Sequence, residues 1–199
     1  MANLILNGST SGSVTLSSPA VSGTTTLTLP TTSGTVLTNG TNTNFPAGSV
    51  LQVLQTVKTD IFSTASTTMV DITGLSVSIT PSSSSNQILV MFSGQISSAN
   101  NVNSAGIQLS RGGSAIFIGD TAGNRVRATS MAYGDNIDTQ YAGNFSYLDS
   151  PATTSSTTYA IQMRCNTAGT AYLNRSSADA NTTTDFRTPA SIIVMEIKG

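Results

Sequence analysis

Side chains able to carry acid–base, nucleophilic or metal chemistry are scarce in this chain. It has no histidine, a single cysteine (Cys165) and nine carboxylates in 199 residues. A serine nucleophile needs a base beside it, and the usual base is missing. General acid–base catalysis needs two titratable groups in contrasting environments, whereas Asp60, Asp71, Asp120 and Asp149 stand singly at turns. Asp135 and Asp138 are the best carboxylate pair for a hard cation such as Ca²⁺. Their spacing in "GDNIDTQ" is not the Asp-x-Asp-x-Asn-Gly run that wraps a loop around the ion, so solvated loop carboxylates are the simpler reading. One cysteine without histidine excludes a zinc site of the usual ligand types and leaves no intramolecular disulfide. No Gly-x-Ser-x-Gly elbow, P-loop or dinucleotide fingerprint is present. The sequence therefore predicts a non-enzyme, with no metal and no cofactor.

Recognition is the chemistry that remains. Residues 119–143, "GDTAGNRVRATSMAYGDNIDTQYAG", are long and polar, and 174–187, "NRSSADANTTTDFR", are similar. Long loops in a compact β-domain are usually functional or mobile. Arg125, Arg127, Tyr133, Asp135, Asp138 and Tyr141 form the candidate surface. Aromatic rings and planar polar groups suit a carbohydrate or protein surface. The same residues also suit packing against a neighbouring subunit, with the charges forming intersubunit pairs, and both readings stand.

Composition sets the class of scaffold. Charged residues make up 9% of the chain, against about 25% in an average soluble domain, while Ser and Thr are abundant. β-Branched and small residues favour strands and turns over helices. Disorder would bring few large apolar residues and high net charge, and this chain has regular apolar bursts and a net charge of −1. That charge removes the basis for nucleic-acid binding, and "RGG" at Arg111–Gly113 reads as a turn. The longest apolar run, "ILVMF" at 88–92, is too short to span a bilayer. "MANLILNGST" lacks the basic and apolar regions of a secretory signal.

Strand-like segments run from Gly48 onward: 49–59, 67–72, 75–80, 87–96, 144–149, 158–165, 170–175 and 190–198, with a hairpin around Gly112–Gly113. In "LSVSIT" the residues Leu75, Val77 and Ile79 share one face, the period-2 mark of a half-buried strand. "QILVMFSGQI" is apolar on both faces at its start and reads as a central strand. In "TYAIQMRC" the residues Tyr159, Ile161, Met163 and Cys165 share a face, which makes Cys165 a small buried hydrophobe. Nine or ten strands without a convincing helix predict an antiparallel β-sandwich, jelly-roll-like.

The first forty residues differ. Gly12, Gly23 and Gly34 are spaced by 11, each preceded by serine, and Pro19 and Pro30 keep the same spacing. Each unit reads as a turn followed by a few extended residues. A unit this small cannot bury its apolar side alone and must stack on copies, most simply on other chains. The expected organisation is a repeat stem over 1–40, a neck over 41–47 and a β-sandwich head over 48–199.

The segment "NGSTSGSVTLSSPAVSGTTTLTLPTTSGTVLTNG" (7–40) resembles the N-terminal segment of tailed-bacteriophage fibre and virion structural proteins of the marine and cyanobacterial type. The G-T-x-T-L-T-L-P-x-x-x-G-T-V-L pattern that closes that segment is matched here from Gly23 to Leu37. "SVLQVLQTVKTDIFST", "LSRGGSAIFIGDTAGNRVRA" and "SYLDSPATTSSTTYAIQMR" are similar to a globular fibre domain of such proteins. The resemblance implies a homotrimer with the N-terminal segment anchored to other virion proteins. It implies a displayed head that adheres to a host glycan or protein, and a location in the virion. Because the motifs are architectural, a capsid decoration fibre remains beside a tail fibre, and a free-standing carbohydrate-binding module is the alternative from another class.

Overall fold

The computed structural model describes residues 4–7, 9–17, 23–24, 26, 31, 45–99, 103–134, 136–166 and 169–199. The chain divides into two compact units, residues 1–37 and 38–199. In the first, β1 (Leu4–Asn7) and β2 (Ser13–Leu16) pair antiparallel, with Leu4 opposite Leu16 and Asn7 opposite Ser13. Gly12 leads into β2 at φ +78°, the left-handed region that favours glycine. Ile5 and Leu6 are both exposed, because a lone two-stranded ribbon has no second layer to cover either face. Most of the second and third repeat units lie outside the described residues, although Gly23 also takes positive φ.

The second unit holds β3 (Val50–Lys58), β4 (Phe62–Thr64), β5 (Val70–Ile79), β6 (Gln87–Ser93), β7 (Gln95–Ser98), β8 (Ser104–Arg111) and β9 (Ser114–Ile116). These are followed by β10 (Ser130–Tyr133), β11 (Tyr141–Ala142), β12 (Phe145–Asp149), β13 (Thr157–Cys165), β14 (Ala171–Leu173) and β15 (Ala190–Ile197). All pairings are antiparallel, and no helix occurs among the described residues. Three ladders run β10–β8–β13–β5, β12–β6–β15–β3 and β11–β7–β14–β4. The last two have corresponding order, since β11/β12, β6/β7, β14/β15 and β3/β4 are each consecutive in the chain. They are two halves of one four-stranded sheet, bent along a line that crosses every strand.

Merging those halves leaves eight long strands in chain order: β3/β4, β5, β6/β7, β8, β10, β11/β12, β13 and β14/β15. The first pairs with the eighth, the second with the seventh, the third with the sixth and the fourth with the fifth. The extra pairings β15–β6 and β13–β8 close the two sheets. This is a long hairpin rolled into a sandwich, the jelly-roll connectivity.

The bend explains why more strands are seen than the sequence pattern predicts. Gly94 divides "QILVMFSGQI" into β6 and β7, where a Cβ would lie 2.7 Å from Phe92 Cζ and 3.0 Å from Ala190 Cβ. Gly143 separates β11 from β12, and a Cβ there would lie 2.9 Å from Ile107 Cδ1. The amide of Gly143 donates to Gly94 O (2.9 Å), and Asn174 N donates to Gln95 O (2.9 Å). Asn174 Nδ2 donates to both Lys58 O and Asp60 O (3.0 Å each). Asn174 holds φ +65°, a conformation asparagine tolerates better than most residues. The opposite departure occurs in β5, where the predicted segments 67–72 and 75–80 join into one strand that carries a bulge at Gly74 (φ +78°).

Between the sheets lie Leu75, Ile79, Ile88, Ile96, Ile107, Leu109, Ile161, Met163, Leu173 and Ile192, all fully buried. Each contributes about 1.5–3 kcal/mol of burial. Cys165 is buried as the alternation predicts, and that burial pushes its thiol pKa up. Two polar clusters pin the sandwich. Arg111 Nη1 on β8 donates to both Asp149 oxygens on β12 (2.9 and 2.8 Å), and Tyr159 Oη on β13 donates to Asp149 Oδ2 (2.6 Å). Asp149 is thus no isolated turn carboxylate but an inter-sheet clamp. Burial first, then the bond to Asp149, drives the Tyr159 hydroxyl far above its ordinary pKa. Glu196, on β15 and fully buried, holds the 80–86 turn through bonds from Ser82 and Asn86.

Candidate functional site

The loop that carries Arg125 and Arg127 is built by a shared strand edge. One side of β8 pairs with β13, and the other is divided between β9 (opposite Leu109–Arg111) and β10 (opposite Ser104–Ile107). The chain must leave the sheet after β9 and rejoin it at β10, and residues 117–129 are that excursion. Thr129 closes its neck: its amide donates to Ile107 O (2.9 Å), its Oγ1 donates to Phe117 O (2.9 Å), and Leu109 N donates to that Oγ1 (3.0 Å). Phe117 fixes the outgoing limb. Its ring stacks on Tyr147 of β12 at 4.7 Å and lies 6.0 Å from Phe145. It does so at φ +51°, a strained conformation for a bulky residue that the stacking must offset.

Beneath this loop, on the outward face of β8, β10 and β13, lies a groove of about 580 Å³. Arg125 and Arg127 reach it from the loop and Arg164 from β13, with Asp120 on the rim and Met69 and Met131 among the apolar lining. Gly106 of β8 stands opposite Arg164 of β13, and Arg164 Cγ, Met69 Cε and Ala128 Cβ close over it, 3.7–3.8 Å from where its Cβ would lie. Each guanidinium is oriented by a backbone carbonyl: Arg127 Nε donates to Gly119 O (2.5 Å), Arg164 Nε to Cys165 O (3.1 Å) and Arg125 Nη1 to Ala122 O (3.4 Å). Lys58, Arg111, Arg175 and Arg187 are ion-paired. Among the described residues, no carboxylate lies within ion-pair distance of Arg125, Arg127 or Arg164.

The remaining candidates from the sequence are placed elsewhere. Tyr133 is exposed at the end of β10, beyond the groove. Tyr141 lies in β11 opposite Ile96, at the bend. Asp138 sits in an exposed turn where its amide donates to Asn136 Oδ1 (3.0 Å). That turn joins the second polar loop, since Ala178 N donates to Ile137 O (3.0 Å) and Gln140 Nε2 donates to Phe186 O (2.8 Å). Asp135 lies outside the described residues. Of the six, Arg125 and Arg127 meet in the groove, whereas Tyr133, Tyr141 and Asp138 stand apart from it. Arg164 was missed, although alternation along "TYAIQMRC" already places it on the outward face; what the sequence lacks is the β13–β8 pairing that sets it beneath a loop forty residues away.

A second surface lies on the other sheet. Rows across β12, β6, β15 and β3 align Leu148, Leu89, Met195 and Val53, then Ser146, Met91, Ile193 and Gln55, then Ser93, Ser191 and Val57. All are half-buried or exposed, with Val53 and Val57 more than 50% exposed. None is charged. A shallow depression of about 400 Å³ opens among Met91, Ser93, Ser146, Ser191 and Ile193. The inward face of the same strands carries Lys58 and Glu196, so the charges that this sheet holds point away from the apolar rows.

Among the described residues, no group of three or more His, Cys, Asp or Glu could hold a metal ion, and no helix is long and apolar enough to cross a membrane. No family model and no curated protein matches the chain. Among solved structures, it is similar to the T=1 particles derived from infectious bursal virus, at TM-score 0.41 and 13% identity over 84% of this chain and 41% of that one. The infectious bursal disease virus Gx strain structure matches at TM-score 0.40 and 12% identity, covering 86% and 46%. The T13 particle of the same virus matches at 0.41 and 13%, covering 94% and 42%. The chain spans less than half the length of these proteins.

Proposed function

We propose that this chain is a non-enzymatic structural protein of a virion, a short fibre of the tailed-bacteriophage type. In this reading, residues 1–40 attach to other particle proteins, 41–47 form a neck, and 48–199 form the displayed head that adheres to the host. Three copies assemble through the outward face of β12–β6–β15–β3. The uncharged apolar face carries the proposal. The face mixes Leu, Met, Ile and Val with Ser and Gln and carries no charge, and the depletion of charge is what distinguishes the core of an interface. Strands about 4.8 Å apart and about 25 Å long give a face of about 500 Å² in projection. That is part of the roughly 800 Å² per partner of a standard interface, and in this reading the N-terminal repeats supply the rest of the assembly. The stoichiometry, the virion setting and the anchoring end rest on the resemblance of 7–40 to fibre stems.

Sedimentation of the full chain tests this reading. The expected species is a trimer, and Ile193→Lys, which places a charge at the centre of the apolar rows, gives a folded monomer. A parent chain that is monomeric at micromolar concentration overturns the assembly.

A further inference from the structure

We infer that the groove beneath the 117–129 loop binds a carboxylate-bearing saccharide, through Arg125, Arg127 and Arg164. This deepens the adhesion reading above and rests on it.

Charge is the first argument. The chain carries eight cations, four of them ion-paired, and three of the other four line this one groove. The fourth, Lys198, does not. A chain so poor in charge has concentrated its uncompensated positive charge where a ligand can reach it. Arginine is the side chain whose planar fork matches a carboxylate in bidentate fashion. Each of the three spends one N–H on a backbone carbonyl, which aims the guanidinium and leaves further donors for a ligand.

Shape and lining are the second argument. A volume of about 580 Å³ falls within the roughly 300–1,000 Å³ typical of small-ligand sites. Met69, Gly106, Ala128 and Met131 give the groove an apolar lining that fits the C–H face of a sugar ring. Asp120 on the rim accepts hydrogen bonds from hydroxyls. Rigidity is the third argument. Thr129 stitches the loop's neck and Phe117 stacks across to the opposite sheet, so the loop arginines are held over the floor before a ligand arrives.

The test is calorimetric titration of the full chain with hexagalacturonate, with its fully methyl-esterified form, with a sulfated neutral hexasaccharide and with hexaglutamate. Hexagalacturonate is expected to bind and the ester to fail. Arg125→Gln combined with Arg164→Gln weakens binding at least tenfold. Met131→Glu, which adds a carboxylate from an exposed position, does the same with unchanged melting temperature. No binding of hexagalacturonate overturns the proposal, as does binding that both variants retain. Preference for the sulfated sugar or for hexaglutamate also overturns it, by naming a different ligand class. Adsorption of the chain to host cells separates this inference from the reading beneath it. Adsorption that survives the groove variants overturns the groove alone, whereas a parent chain that does not adsorb overturns adhesion whatever the sugars show.

Discussion

Removing the Glu196 carboxylate is expected to cost more stability than any other single polar change in the head. The side chain is fully buried. Its Oε1 accepts from Ser82 N (2.6 Å), Ser82 Oγ (2.7 Å) and Asn86 Nδ2 (2.6 Å), and its Oε2 accepts from Gln52 Nε2 (2.7 Å). Burial alone would raise its pKa; the bonds from Asn86, Gln52 and Ser82 outweigh that and hold it below the ordinary carboxylate value. Hydrogen bonds to a charged group contribute about 1.5–3 kcal/mol each, but not additively. Glu196→Ala takes the acceptor from four donors, on buried Asn86, half-buried Gln52 and exposed Ser82, and is expected to cost about 3–5 kcal/mol. That is a large part of the 5–15 kcal/mol that holds a typical domain folded. Glu196→Gln keeps the shape but sets an N–H₂ against Gln52 Nε2. Gln52 cannot turn its amide without releasing Thr80 O, to which the same nitrogen donates at 2.9 Å. The expected cost is about 1.5–3 kcal/mol. The pH dependence fixes the sign. Because the folded pKa is depressed, the carboxylate's contribution is complete above the unfolded value of about 4.3 and is lost as pH falls through the folded value. The gap between parent and Glu196→Gln should therefore narrow below about pH 4. Urea melts at equal protein concentration and several pH values measure it. A gap independent of pH, or an alanine variant within about 1 kcal/mol of the parent, refutes the reasoning.

Tyr159→Phe removes the hydroxyl that donates to buried Asp149 (2.6 Å) while Arg111 stays in place, so a loss of about 1–2 kcal/mol is expected in urea melts. Gly143→Ala places a Cβ 2.9 Å from Ile107 Cδ1 at the line where the sheet bends; about 1–3 kcal/mol of overpacking is expected, read as a lowered melting temperature. Cys165, fully buried and with its thiol pKa raised by that burial, should resist iodoacetamide in the native chain and react once urea unfolds it.

The scaffold was legible because strand faces repeat every two residues. Tyr159, Ile161, Met163 and Cys165 read as one buried row and are one, and the Gly112–Gly113 hairpin has its two-residue turn, with both glycines at positive φ. Strand counting failed where glycine carried two opposite meanings. Gly94 ends a strand because Phe92 and Ala190 crowd it, whereas Gly74 stays inside a strand as a bulge. Phe92 is local to Gly94, but the Ala190 Cβ that closes on it arrives from β15, and that contact is invisible in the sequence. The site was half legible for the same reason. The loop arginines stand out in a chain so poor in charge, but the groove exists only because β9 and β10 share one edge of β8. Glu196 and Asp149 left no signal at all, since a carboxylate in a strand or at a turn looks solvated until its donors are folded around it.

The two surfaces of the head constrain each other. The apolar rows lie on the outward side of β12–β6–β15–β3, and the groove lies on the outward side of β10–β8–β13–β5, so the thickness of the sandwich separates them. A subunit packed on the first surface leaves the second facing solvent. Composition differs accordingly. On the groove's sheet, Gln108 Nε2 donates to Gln162 Oε1 (2.6 Å) and Gln162 Nε2 to Asp71 Oδ1 (2.8 Å). This polar ladder satisfies its members across three strands and gives another protein little apolar area to bury. The other sheet has no such ladder and no charge to desolvate. A fold of two sheets can thus assign assembly to one and recognition to the other without either compromising the core between them. In the proposed assembly that division keeps the proposed ligand site out of the subunit contact, where it would be lost.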